Sequence, residues 1–429
     1  MRFFLARFKN LEGLKPKLAN PHLFNFGFLL MIMGPGIITG VIDSDSGSIA
    51  TYSSVGASYG YALLWVIVLT TIPLAIIQEM TTRMGAVTGR GLASLIRENF
   101  GIRITFYSLI ALVLVNIANI VADFAGIAAG GEIFGISRFI LLPTAVIVIL
   151  YLVLAKNYRK IEKILLIFCL FYIAYIVAGI LAHPNWTQAL HGVILPSINL
   201  KDSIVITAVL ALIGTTIAPW MPFYQQSAVA EKKIALSNYK YERIDTYTGS
   251  VMTQAIAFFI VLATAATLFK NGIVVNSASD AANALVPLVG KFAGALFALG
   301  IINAGFTAAI VLPTSTAYSL AEGFGWNSGM NKKFKEAPRF YAILIGTVIV
   351  SAITVLFLKV NLIKIMIFSQ AINGFLLPVI LILMLTIANN KKIMGKHVNT
   401  RVQNIIGILT ICALVLLTIS LIYFAIFGK

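Results

Sequence analysis

GVIDSDSGSIAT, residues 40–51, places two carboxylates, Asp43 and Asp45, in one of the most apolar parts of the chain. Ser44, Ser46, Ser48 and two glycines surround them, and an almost uninterrupted apolar run from Leu23 to Val41 leads in. A helix of about 20 apolar residues crosses the roughly 30 Å of a bilayer core. The stretch therefore reads as a membrane span that breaks at Asp45-Ser46-Gly47, since glycine weakens a helix interior. Carboxylates inside a membrane span are costly and face a partner, a cavity or an ion path. Residues two apart point about 200° away from each other in an α-helix, but fall on one side of extended backbone. Asp43 thus reads either as a second charge for a bound cation, if the break begins before it, or as a residue that caps or pairs elsewhere.

The rest of the chain sets that stretch in context. Of its 429 residues 59% are hydrophobic and 11% charged, with a mean hydropathy of +0.94; a soluble domain carries about 25% charged residues. The composition describes a polytopic membrane protein. A net charge of +17 would suit nucleic acid if the charges were pooled, but they are not. Segments 1–20, 81–103, 156–163, 231–243, 331–339 and 390–401 hold 25 of the 32 basic residues, and the alternate connections carry Arg138, Lys201, Lys270, Lys291, Lys359 and Lys364. This asymmetry is the positive-inside pattern. It predicts a cytoplasmic N-terminus, an odd number of spans and a C-terminus outside, with no nucleic-acid partner. Cys169 and Cys412 both lie in apolar segments, so no disulfide framework is implied. The first apolar stretch is too long for a signal peptide and lacks a small-residue cleavage site, so it reads as a retained helix.

Eleven spans can be counted, at about 22–56, 61–81, 103–130, 138–156, 161–182, 203–230, 246–269, 290–322, 339–358, 361–388 and 402–427. They form a single membrane domain, 1–429. Segment 85–100, with Leu92, Leu95, Ile96 and Arg97, suggests a short interfacial helix. The sixth span is interrupted as the first is, at Ala218-Pro219-Trp220-Met221-Pro222, because proline removes a backbone donor and clashes with the preceding turn. Two breaks five spans apart are the mark of an inverted-repeat transporter whose site lies at the breaks. The expected fold is all-α, a LeuT-type 5+5 arrangement with repeats at about 22–182 and 203–388 and an extra helix at about 402–427.

Several motifs then line up in order. GPG (34–36), DSGSIAT (45–51), GYALLW (60–65), ADFAG (122–126), HPNW (183–186), IGTTIAPWMPFYQQS (213–227), EGFG (322–325) and FSQAINGFLLP (368–378) together resemble the Nramp divalent-metal transporters across nearly the whole chain. The resemblance implies that Asp45 keeps the metal-binding aspartate of the family's DPGN motif, while Ser46 replaces its proline and Ser48 its asparagine ligand. Gln370 stands at the family's glutamine ligand. The family's MPH becomes Ala218-Pro219-Trp220, and a second histidine becomes Gln225. Asp123 keeps one carboxylate of the family's proton route, whereas Gly126 and Asn116 stand where it has acids. These departures resemble the Nramp-related magnesium transporter branch.

Their chemistry points the same way. A thioether favours softer ions over magnesium and calcium, and Ala218 removes it. Magnesium dehydrates reluctantly and takes one or two carboxylates while keeping several waters. Asp45, Gln370, Ser48, unwound backbone near Thr215, the space at Ala218, and Asp43 form the expected metal site. Gly47, Pro219, Trp220, Gln225, Asp123, Asn116 and Asn373 form the expected gate or pathway. Proton coupling calls for groups titrating near neutrality, yet His22, His183, His191 and His397 all lie at span ends or in loops. Asp123, with Asn116 and Asn119 on its helical face, is either a buried anchor or a residual charge relay. Glu79 either attracts cations or pairs with Arg83; Gln254 and Asn303 either line the path or bond between helices. Trp220 is a gate or a volume filler, Glu322 lies at a helix end, and Tyr59 and Tyr61 suit interfacial anchors.

The resulting expectation is a monomeric inner-membrane transporter carrying Mg2+, and also Mn2+, into the cytoplasm without proton coupling and without a cofactor. A proton-coupled manganese transporter and an amino-acid or amine symporter of the same fold are the alternatives, with a channel-like conduit as a third class. No phosphate loop or nucleophile–base pair suggests an enzyme.

Overall fold

The structure, a computed structural model, describes residues 34–155, 158–195, 202–234, 236, 239–282 and 293–427. The basic segment 1–20, His22, most of the Leu23–Val41 run, Lys156, Lys201 and Lys291 lie outside these residues.

The chain is all helix among the described residues. In order come α1 (Pro35–Ile42), α2 (Ser46–Tyr59), α3 (Leu64–Thr88), α4 (Leu92–Ile133), α5 (Arg138–Ala155), α6 (Tyr158–Cys169), α7 (Ile173–Leu181) and α8 (Trp186–Ile194). Then follow α9 (Ser203–Thr216), α10 (Trp220–Glu231), α11 (Tyr239–Thr267), α12 (Ala278–Ala282), α13 (Ala293–Phe324), α14 (Pro338–Phe357), α15 (Leu362–Ala388), α16 (Lys391–Met394) and α17 (Arg401–Phe427). Ten stretches among the described residues are long and apolar enough to cross a membrane, two of them interrupted: α6–α7, by a 3-10 turn at Leu170–Tyr172, and α9–α10. The pair α1–α2 is not among those ten and is the described part of the expected first span. Leu69, Ile72, Leu114, Ile140, Ile147 and Leu416 are exposed, as bilayer-facing side chains are where hydrocarbon is the solvent.

The first break differs from the sequence expectation. It falls at Asp43-Ser44-Asp45, and Ser46-Gly47-Ser48 form the first turn of α2. The reason is capping: Asp45 has extended backbone and its carboxylate accepts from Ser48 N at 2.7 Å. Aspartate is among the strongest N-caps because it satisfies an orphan donor of the first turn. The second break is shorter than expected. Ile217, Ala218 and Pro219 separate α9 from α10, while Trp220, Met221 and Pro222 are already helical. Proline is tolerated in a first turn, where its missing N–H has no intrahelical partner anyway.

Close backbone contact seats α1 on α11. A Cβ on Gly36 would meet the Thr246 backbone at 2.5 Å, and one on Gly40 the Gly249 carbonyl oxygen at 2.6 Å. Small residues four apart let membrane helices approach this closely. The interfacial-helix expectation is met in part. Gly101, at φ 76, separates Leu92–Phe100 from the long remainder of α4. Leu92, Leu95 and Ile96, however, are buried in the protein rather than turned to a lipid surface.

Candidate cation site

The two breaks meet through hydroxyls. Ser48 Oγ donates to the Asp43 carbonyl at 2.6 Å, and Thr215 Oγ1, in the last turn of α9, donates to Ser48 Oγ at 2.5 Å. A hydroxyl has one hydrogen and two lone pairs, so Ser48 keeps one lone pair. From α15, Gln370 Nε2 donates to Asp45 Oδ1 at 3.1 Å and to Oδ2 at 3.4 Å. Gly47 makes room for that amide, since a Cβ there would overlap it. Gly214 does the same on α9, where a Cβ would run into the Gln370 carbonyl oxygen and the Gly374 nitrogen. Asp45, Ser48, Thr215 and Gln370 thus stand together, each buried.

Asp43 is the C-cap of α1, so the break begins at this residue. Its Oδ2 is buried with no hydrogen-bond partner, as is Thr216 Oγ1 beside Thr215. A buried acceptor without a donor is uncommon and calls for an ion or water. Among the described residues no group of three or more His, Cys, Asp or Glu is placed to hold a metal ion. The donor set at the breaks is therefore one or two carboxylates with neutral oxygens. That suits a hard, partly hydrated cation. Ala218 is buried in the second break, three residues from Thr215 and without a sulfur.

The pathway candidates separate into distinct places. Asp123 on α4 accepts from Ser46 N at 3.4 Å, standing at the N-terminus of α2 where a negative charge meets the positive end of the helix dipole; its Oδ2 has no partner. This contact places Asp123 against the start of α2, beside the first break. Asn116 donates to Thr316 Oγ1 at 2.9 Å on α13. Gln225 donates to Thr82 at 2.6 Å and Thr246 at 3.0 Å, tying α10 to α3 and α11. Trp220 is buried edge-to-face with Tyr224, and its carbonyl accepts from Ser315 at 3.1 Å. Asn373 donates to Gln370 Oε1 at 2.8 Å.

Other intramembrane polar residues take structural partners. Glu79 pairs with Arg83 at 3.1 Å and accepts from Tyr239 and from Gln403. Gln254 donates to the Ile67 carbonyl and Asn303 to the Phe168 carbonyl. Glu322, in the last turn of α13, accepts from Ser227 at 2.8 Å.

Sequence reasoning missed Asp245 on α11. Its carboxylate accepts from Gly34 N at 2.8 Å and Gly36 N at 2.6 Å, capping α1 from another helix. Lys232, just past α10, pairs with Glu162 at 2.7 Å. Burial disfavours the Lys232 charge, but the Glu162 and Glu242 carboxylates outweigh it and hold its pKa above the ordinary value. The signal for Asp245 lay in GPG, whose amides at a helix start need an acceptor, although nothing local supplies one.

The family model described as "Nramp: Natural resistance-associated macrophage protein-like" matches residues 36–424. A Bacillus subtilis (strain 168) protein, "Divalent metal cation transporter MntH", is 28% identical over 409 residues, 92% of this chain and 93% of its own length. A protein of the same description from Caldanaerobacter subterraneus is 26% identical over 411 residues, covering 93% of this chain and 94% of its own. Among solved structures, the Eremococcus coleocola manganese transporter superposes with a TM-score of 0.75 at 22% identity, over 94% of this chain and 88% of that one. MhsT in complex with L-phenylalanine gives 0.60 at 12%, over 90% of this chain and 98% of that one. These superpositions bear on the fold alone.

Proposed function

The chain belongs to the Nramp family, and from that membership and the oxygen donors at its two helix breaks we propose that it moves divalent cations across the membrane by alternating access. The proteins it resembles are transporters, not enzymes, and no cofactor is part of this reading. The observation that carries it is the convergence of Asp45, Ser48, Thr215 and Gln370 at the meeting of two unwound segments. Half-helix ends and unwound backbone are how membrane folds of this kind hold ions near the midplane.

Asp45 supplies the charge, Ser48 and Thr215 neutral oxygens, Asp43 a second carboxylate, and Gln370 a side-chain amide against Asp45 whose oxygen reaches an ion only when that amide turns. Mg2+ is the preferred ion and Mn2+ is also accepted. The support is negative in kind: Ala218 and Trp220 stand where the family resemblance expects sulfur and histidine, and oxygen-only sites suit hard cations. The Bacillus subtilis relative is described as a divalent metal cation transporter and the Eremococcus coleocola neighbour as a manganese transporter, which favours Mn2+ as the second ion.

Transport runs inward without a proton. A membrane potential contributes about 2.3 kcal/mol per charge per 100 mV, enough to accumulate a doubly charged ion. The topology that goes with this reading has eleven spans, α1–α2 being the first, in two inverted repeats of five, with a cytoplasmic N-terminus and a monomeric inner-membrane protein.

Purified protein in liposomes under an imposed voltage tests the whole. Entry of Mg2+ and Mn2+ with an unchanging internal pH dye is the expected result. Acidification that follows metal entry would replace the uncoupled reading with proton coupling. Uptake of amines or amino acids without metal flux would remove the cation assignment.

A further inference from the structure

Gln370 meets Asp45 with the wrong end for holding a cation. Its Nε2 donates to the carboxylate, so its Oε1 faces away, where it accepts from Asn373 Nδ2 at 2.8 Å. Asn373 Oδ1 in turn accepts from Asn119 Nδ2 at 2.7 Å. Asn119 Oδ1 has no hydrogen-bond partner among the described residues. Three amides from α15 and α4 therefore stand in line behind Asp45, all pointing their donors toward it. Gln370 and Asn373 are 1% exposed and Asn119 0%.

We propose that Gln370, Asn373 and Asn119 form a reversible amide relay that reads whether a cation sits on Asp45. This rests on the divalent-cation reading of that carboxylate. An ionised carboxylate only accepts, so an empty site draws the Gln370 nitrogen. A cation on Asp45 repels that nitrogen and attracts the oxygen. The amide then turns about its terminal torsion, which is broad and roughly two-fold, in the space that Gly47 leaves open.

Gln370 cannot turn alone. Its nitrogen would then face the Asn373 nitrogen, two donors with nothing to accept. Asn373 turns to offer Oδ1, and Asn119 turns to accept from Asn373. Each direction keeps two amide–amide bonds, so the two states differ only at their ends. The far end is the unpartnered Asn119 oxygen, and nothing there pins the line in one direction. This is a two-state element biased by a ligand with differential affinity for the states. Asn373 and Asn119 are thus positioning residues: they touch no cation, yet they decide which end of Gln370 meets it. The turn also carries the news of occupancy from α15 to α4.

Asn119→Asp tests this, because a carboxylate at the far end accepts only and holds the line with the Gln370 oxygen toward Asp45. Titration calorimetry of the purified protein with Mn2+ and with Mg2+ reads the affinity. The expected gain is about tenfold, the scale of one hydrogen bond to a charged group, growing with pH as the introduced carboxylate ionises. In a Gln370→Glu background the group beside Asp45 has oxygen on both sides, and the same substitution adds nothing. Equal gains in both backgrounds would mean a general charge effect and overturn the relay.

Infrared difference spectra of the unmodified protein with and without Mn2+ provide a second readout should that variant not fold. Metal moves a free side-chain amide carbonyl band, that of Asn119, to lower frequency, and the metal-free spectrum of Asn119→Leu, which lacks that band, assigns it. A native spectrum without that shift overturns the proposal even though metal binds. If the native chain binds neither ion, the divalent-cation reading itself falls, and the relay with it.

Discussion

Gly126 on α4 and Ser46 at the start of α2 share one space: a Cβ built on Gly126 would overlap the serine Cβ and Oγ. The same serine donates its hydroxyl to the Ile301 carbonyl at 3.2 Å and its amide to Asp123. Gly126 and Ser46 are therefore one packing solution.

Gly126→Ala should destabilise the protein by about 1–3 kcal/mol, the usual cost of forcing a methyl into a packed core. Ser46→Gly in the same chain should recover most of it, since the clash is with that side chain. Thermal unfolding of the single and double variants in detergent measures the coupling. Additive losses would show that the two positions do not share space.

Asp45→Ala should reduce cation uptake into liposomes to background, because it removes both the charge at the break and the cap of α2. Asp45→Asn separates these roles. It keeps an oxygen for Ser48 N, so folding should hold to within about 1 kcal/mol while uptake is still lost. Uptake retained by the asparagine variant would move the ion away from this carboxylate.

Ala218→Met should shift preference toward Mn2+ and Cd2+ over Mg2+, since a thioether is a soft ligand. Competition uptake with the three ions checks the direction. Unchanged ratios would place Ala218 outside the ligand sphere.

Asp245→Ala leaves the Gly34 and Gly36 amides without their acceptor, a loss of about 1–3 kcal/mol for a buried unsatisfied group. Hydrogen exchange at residues 34–37 should accelerate far more than in the body of α11. Equal protection in variant and parent would show that another group holds the start of α1.

The positions of both breaks were legible because carboxylates and prolines are conspicuous in apolar sequence. Their exact bounds were not, and for one reason. Asp45-Ser46-Gly47-Ser48 looks like an interruption by propensity, yet Asp45 accepting from Ser48 makes it a helix start. Glu79 with Arg83 one turn on was readable for the same reason that any local pair is. Asp245 and the pairing of Asn119 with Asn373 were obscure because the partners lie far along the chain: Asp245 reaches Gly34 across 211 positions, and Asn119 reaches Asn373 across 254. Local pattern says that such polar groups need partners; only the packed helices say which.

The eight-residue α1 has a mechanical consequence. At 1.5 Å per residue it is roughly 12 Å long, and it carries backbone amides gripped by Asp245 at one tip and Asp43 at the other. A rod of so few turns has no interior hinge to absorb a displacement. Gly36 and Gly40 rest on the α11 backbone between those tips, so the Asp245 grip and the placement of Asp43 are both tied to one neighbouring helix.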